Sequence, residues 1–133
     1  MRIFTSRYQN GAVIADCGAV PVRITRGHPR FRLAYQLGGS IPELAPTREE
    51  FGIDHRRECT AAYHARLDGL GCDAVLGLLN EVSEANGGAD LVLLCFEDVR
   101  SGDWCHRLVL AEWLESRCGL VVPELEDRTR PRR

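Results

Sequence analysis

Hydrophobic residues run unbroken from Leu91 to Phe96 (LVLLCF), a stretch of strand length with no polar alternation. A run of this kind predicts a strand covered on both faces, as in a parallel sheet. Glu97-Asp98 breaks it, and Val99 to Gly102 reads as loop. From Trp104 the period changes. Trp104, Leu108, Ala111 and Leu114 fall near helical spacing, and Val109, Leu110 and Trp113 widen the apolar face, which predicts a well-buried helix. Asp103 is the expected N-cap and Gly119 the expected stop. Leu120 to Val122, closed by Pro123, reads as another short strand. The whole is a strand–helix–strand unit of the kind that crosses over right-handed.

The preceding chain extends the pattern. Arg2 to Tyr8 alternates and is rich in β-formers, which predicts the first strand. Asn10-Gly11 is a turn signal, and Ala12 to Cys17 fits a short helix or a strand equally. Val20 to Thr25 predicts a second strand, with Pro21 at its start or on an edge. Leu33 to Pro46, with Gly38-Gly39, Pro42 and Pro46, reads as a long excursion of the sort that tends to carry function or move. Thr47-Arg48-Glu49-Glu50 matches a capping box. Helices are expected over about Asp54 to Leu70 and about Asp73 to Asn86. The order β, β, two helices, β, α, β defines a small α/β layered domain with a short, mainly parallel sheet flanked by helices. Residues 1–123 form one domain, and the charged segment Glu124 to Arg133 is expected to be a flexible tail.

Composition narrows the function classes. The chain has 133 residues and a formal net charge of −2, so the whole molecule has no general attraction for nucleic acid or membrane. All 17 basic residues are arginine, the mark of a GC-rich genome, so any single arginine is weaker evidence for a specific contact. Cysteines stand at 17, 59, 72, 95, 105 and 118 with no Cys-x-x-Cys pair. The N-terminus lacks a signal-type apolar region. The expectation is a cytoplasmic protein with mostly reduced thiols. No apolar run approaches membrane-spanning length. No P-loop, no G-x-G-x-x-G after the first strand and no G-x-S-x-G elbow is present, which argues against a nucleoside triphosphatase, a standard dinucleotide enzyme and an α/β-hydrolase.

Ligands of such sheets bind beyond the carboxyl ends of the strands, beside helix N-termini. Cys95, Glu97, Asp98, Cys105, His106 and Arg107 all fall near that edge. Cys105 and His106 are expected in the first helical turn, where free N–H groups favour anions and lower a thiol pKa. Cys105 is then a candidate nucleophile, His106 a proton relay and Glu97 a general acid or base. Cys95 taken alone reads as core filler. Arg7 ends the first strand, and Arg26 to Arg32 follows the second. Arg7, Arg26, Arg30 and Arg107 are the candidate holders of an anion, against the plainer reading of a solvated arginine-rich loop. A second chemistry is zinc held by Cys95, Cys105 and His106, with a fourth ligand from His28, His55, Cys59 or His64.

Leu93-Leu94-Cys95-Phe96-Glu97 followed by Cys105-His106-Arg107, with Thr5-Ser6-Arg7-Tyr8 and Arg23-Ile24-Thr25-Arg26-Gly27 earlier, resembles the family catalogued as domain of unknown function 488. The likeness covers most of residues 2 to 123, and Cys-His-Arg is its most specific part. It implies a small Rossmann-like α/β domain from bacteria or their phages, with no established reaction. Carried over, it marks Cys95, Glu97, Cys105, His106 and Arg107, then Ser6, Arg7 and Arg26. The leading expectation is a small anionic ligand (a nucleotide, nucleoside or phosphorylated metabolite) at the sheet edge, touched by Ser6, Arg7, Arg26, Arg30 and Arg107. The alternatives are a non-enzymatic module contacting a host protein or nucleic acid through arginine-rich loops, and a zinc-held domain.

Overall fold

The computed structural model describes residues 1–51, 56–102 and 104–130. In chain order the elements are β1 (Ile3–Arg7), α1 (Gly11–Asp16), β2 (Val20–Arg23), β3 (Gly39–Ser40), α2 (Arg48–Phe51), α3 (Arg56–Leu70), α4 (Cys72–Ala85), β4 (Leu91–Cys95) and α5 (His106–Cys118). Short 3-10 turns lie at Pro42–Leu44 and Val99–Ser101. The sheet has the order β1-β4-β2-β3, and every pairing is parallel. The chain is therefore an α/β layered domain, as its pattern predicts. The ambiguous stretch after Asn10 is a helix.

Every residue of β4 is buried, because the strand lies between β1 and β2 and is covered above and below. The pleat sends alternate side chains to opposite faces. Leu91 and Leu93 join Tyr63, Leu67, Val75, Leu79, Leu110 and Trp113 from the three long helices. Val92 and Leu94 face a smaller core built by Tyr8, Ile14 and the partly buried Leu33, Tyr35 and Leu37. The long excursion thus has a structural task. Its alternate apolar residues cover the sheet face that α1 is too short to cover, and the Tyr35 hydroxyl donates to the Tyr8 carbonyl (2.9 Å). Gly39 is required by packing, since a Cβ there would meet Val82 Cγ1 at 2.7 Å. The capping box forms as read: Glu50 N–H donates to Thr47 Oγ1 (3.2 Å), and Thr47 N–H donates to Glu50 Oε1 (2.7 Å).

Four expectations need correction. The helix after the central strand begins at His106, and Cys105 is its N-cap; Asp103, the expected cap, lies outside the described residues, as do Asp54, the expected start of α3, and His55. Leu120 to Val122 is not a strand. Pairing occurs two residues later, as a single parallel bridge between Thr5 and Glu124. Residues 124–130 are not a loose tail but a strap along β1. Thr5 N–H donates to the Pro123 carbonyl (3.0 Å), and Leu125 N–H donates to the Thr5 carbonyl (2.8 Å). Asn10 Nδ2 donates to the Glu126 carbonyl (3.0 Å), while its Oδ1 accepts from Arg128 N–H (3.2 Å). Finally, four of the six cysteines are paired, where mostly reduced thiols were expected. Cys72 opens α4 and Cys118 ends α5, with Cα atoms 5.7 Å apart, and they form a disulfide. Cys95 and Cys105 form the second.

The strap carries the carboxylate that partners a buried guanidinium, Arg107 to Glu124 (2.7 Å, the arginine side chain 0% exposed). Removing one partner of such a pair leaves an uncompensated buried charge. Truncation after Pro123 is therefore expected to destabilise the fold by roughly 3–5 kcal/mol, the usual range for breaking such pairs, read as a lower urea midpoint. An unchanged midpoint would make the strap an ornament of the fold.

Candidate functional site

β2 continues to β3 on one side of the sheet, whereas β4 continues through α5 to the strap beside β1 on the other. The crevice between the carboxyl ends of β4 and β2 is thus the topological switch point, the usual ligand position in open α/β sheets. Cys95 is the last residue of β4, and Ile24 directly follows β2. Cys105 and His106 enter from the start of α5. Parallel packing of β4 against β2, and of α5 over the sheet, brings these four together.

Cys95, Cys105 and His106 are all buried, and their two sulfurs and a ring nitrogen lie within 4.8 Å of one another. Ile24 fixes the imidazole: His106 Nε2–H donates to its carbonyl at 2.7 Å. Nδ1 is buried and has no hydrogen-bond partner. The ring packs edge-to-face with that of Tyr63, with centroids 5.7 Å apart. Burial pushes the His106 pKa down to about 4; the bond to Ile24 opposes that shift and the Arg107 charge adds to it. The imidazole is therefore neutral at physiological pH, with an unused lone pair.

Arg107 closes the other side. Its Nη1 lies 3.0 Å from Cys95 Sγ and 3.1 Å from Cys105 Sγ, and it also donates to the Glu97 carbonyl (2.9 Å). Its remaining nitrogens grip the Glu124 carboxylate. The sulfurs thus sit against a cationic donor, with a nitrogen of a neutral imidazole within 4.8 Å. That arrangement stabilises thiolate when the pair is reduced, and it offers two sulfurs and one nitrogen to a metal. Cys105 also borders a 200 Å³ depression next to Trp104, Thr60 and Glu112.

The expected anion holders do not converge. Arg7 is buried and bonded to Asp127 (2.7 Å), with Asp98 at 3.6 Å. Asp98 is held by Arg100, whose hydrogen bonds bring its pKa to about 2. Ser6 is buried, donates to the Arg7 carbonyl and accepts from Asn10. Arg107 is committed to Glu124 and the sulfurs. Arg26 and Arg30 are exposed, and only Arg26 lines a large cavity. Glu97 reaches the centre through its carbonyl. Of the proposed fourth ligands, His55 lies outside the described residues, and among the described residues the cluster holds Cys95, Cys105 and His106 alone.

Sequence reading missed Glu124, Asp127 and Asn10. All three act through the strap, and the one available hint was Leu125, an apolar residue set among acids. Compared with known protein families, with curated proteins and with solved structures, the chain matches none. Among the described residues no helix is long and apolar enough to cross a membrane.

The depressed His106 pKa has a definite sign. Below the ordinary value of 6.5 the unfolded chain takes up a proton that the folded chain refuses, until about pH 4. Stability present above pH 6.5 is therefore lost as pH falls through that window, by roughly 3 kcal/mol. Urea unfolding of the disulfide-bonded protein across this range should show the slope, and His106→Gln should flatten it. An equal slope in the variant would assign the loss to other groups.

Proposed function

We propose that this chain is a metal-binding domain. Cys95, Cys105 and His106 take a thiophilic cation of the zinc class once the two cysteines are reduced. The observation that carries this reading is the His106 ring. Metal-ligating histidines almost always donate their other ring N–H to a carbonyl or carboxylate, which fixes the tautomer and aims the lone pair. His106 Nε2–H does so to Ile24, its buried Nδ1 is left without a hydrogen-bond partner, and the ring offers a nitrogen within 4.8 Å of both sulfurs.

Two further features support it. Arg107 supplies N–H contacts to both sulfurs, the outer shell that metal-bound thiolates require. The Cα atoms of Cys95 and Cys105 are 7.6 Å apart, wider than the usual 4.4–6.8 Å or so of disulfides. Two thiolates on a tetrahedral ion with bonds of about 2.3 Å place their sulfurs about 3.8 Å apart, and so suit a wider backbone spacing.

The electron balance is simple. Two electrons and two protons convert the disulfide to two thiols, and metal binding then releases both protons as the thiolates ligate. Cys95, Cys105 and His106 would hold the ion with one position left open, where it would supply Lewis acidity. The protein's own part is to hold the donor set dry, to keep His106 neutral and to balance thiolate charge with Arg107. Under this reading Cys105 and His106 are ligands rather than nucleophile and proton relay.

Elemental mass spectrometry after reduction with a phosphine and incubation with zinc should find about one metal per chain. Cobalt(II) in place of zinc should give sulfur-to-metal charge-transfer absorption. Cys105→Ser and His106→Ala should each lose the stoichiometric metal, while Cys72→Ser, distant from the centre, should keep it. No metal on the reduced protein, or uptake indifferent to Cys105→Ser, would overturn the proposal and leave the two cysteines as a dithiol–disulfide pair.

A further inference from the structure

A second site stands apart from the cysteines. A cavity of about 760 Å³ opens at the carboxyl end of β2 and is walled by the chain that runs from β3 into α2. Its charged lining includes Arg23, Arg26 and Arg48 together with Glu43 and Glu49. None of these three arginines takes part in an ion pair among the described residues. Both buried arginines, Arg7 and Arg107, do. Among the described residues Arg23 spends only its Nε, on Ser40, and its terminal nitrogens are uncommitted.

The cavity wall is held firmly although it is loop. Arg66 braces it from below. Its Nη1 donates to the Glu43 carbonyl (2.6 Å), its Nη2 donates to the Ala45 carbonyl (2.6 Å), and its guanidinium is paired with Glu50 (3.0 Å). The guanidinium also lies over the Tyr63 ring at 5.2 Å. The Tyr63 hydroxyl donates to the Leu44 carbonyl at 2.5 Å. The capping box of Thr47 and Glu50 fixes the turn beyond. A segment with Pro42 and Pro46 and this many side-chain braces is preorganised, which lowers the ordering cost of binding. Its position at the carboxyl edge of the sheet, and its volume, are those of a small-molecule site.

The chemistry of the lining selects a ligand class. Uncommitted guanidinium groups around one space suit the oxygens of a phosphate, which they bind in pairs of parallel hydrogen bonds. Glu43 and Glu49 in the same space would repel a ligand that was anionic throughout. They suit hydroxyl donors displaced from the charge. We infer that this cavity binds a phosphorylated sugar, free or as the sugar-phosphate part of a nucleotide, with the phosphate on Arg23, Arg26 and Arg48 and the hydroxyls on Glu43 and Glu49. The inference does not depend on the metal centre: Tyr63 stands between the two sites, touching His106 on one side and Arg66 on the other.

Isothermal titration of the full chain with ribose 5-phosphate, AMP, inorganic phosphate and ribose tests it. Ribose 5-phosphate or AMP is expected to bind at one site per chain, at least tenfold more tightly than inorganic phosphate, with ribose silent. A clear preference between the first two identifies the free sugar or the nucleotide as the source. Arg26 and Arg48 are exposed, so Arg26→Ala/Arg48→Ala should fold normally and weaken binding at least tenfold. Arg30→Ala, also exposed but outside the cavity, should change nothing. Glu49→Gln should weaken ribose 5-phosphate and leave inorganic phosphate unaffected. The inference fails if no phosphorylated probe saturates, if phosphate alone binds as well as the sugar phosphates, or if Arg30→Ala weakens binding as much as the cavity variants.

Discussion

The carboxyl edge of this protein depends on one buried cation. Arg107 has no solvent contact, and an unpaired guanidinium in that position would be prohibitive. Its hydrogen bonds dictate what surrounds it. They tie together the end of β4 at Cys95, the loop after it at the Glu97 carbonyl, the cap of α5 at Cys105, and the strap at Glu124. The central strand, the helix that follows it and the returning chain are thereby fixed relative to one another through a single side chain. The chain returns beside β1 because that is where it can deliver a carboxylate to Arg107.

The strap performs the same service a second time. Asp127, three residues beyond Glu124, meets Arg7 at the end of β1, with Arg100 and Asp98 completing the network. The protein's own carboxylates therefore fill the arginines at the ends of β1 and β4. Uncommitted arginines lie elsewhere, around the cavity at the end of β2. This division separates a closed, charge-compensated half of the sheet edge from an open half, and the switch point with its sulfurs lies on the boundary between them.

Much of the fold was legible because it follows from periodicity. The unbroken run at Leu91 has one comfortable place, the middle of a sheet, and it lies there. Thr47-x-x-Glu50 specifies its own reciprocal hydrogen bonds, and they form. That Cys95, Cys105, His106 and Arg107 gather near one edge was legible for a similar reason, since a strand end and the next helix start lie on the same side of a strand–helix unit, although whether the two sulfurs meet was not. What stayed hidden was set by long-range geometry. A charged segment such as Glu124 to Arg130 reads as solvated, and only the positions of Arg7, Arg107 and Asn10 in space make it a strap. The same holds for the arginines: Arg7 and Arg26 look alike in sequence, yet one is neutralised by residues about a hundred positions away and the other by none of the described residues. The cysteine pairings were hidden too, because Cys72 and Cys118 meet through the packing of α4 on α5 rather than through any motif.

Charge balance at the centre explains why two states of the same pocket are compatible with one fold. With Cys95 and Cys105 joined, the buried groups are neutral apart from Arg107, which Glu124 balances. With two thiolates on a divalent cation, the added charges also cancel, and the Arg107–Glu124 pair stands unchanged. The reduced, metal-free state is different. Two buried thiolates would leave the site net negative by two, so at least one thiol must keep its proton, and His106, whose pKa is held near 4 chiefly by burial, is a poor place to put it. The site is thus electrostatically complete when oxidised or metallated and incomplete otherwise, and Arg107 is the reason both complete states can use the same walls.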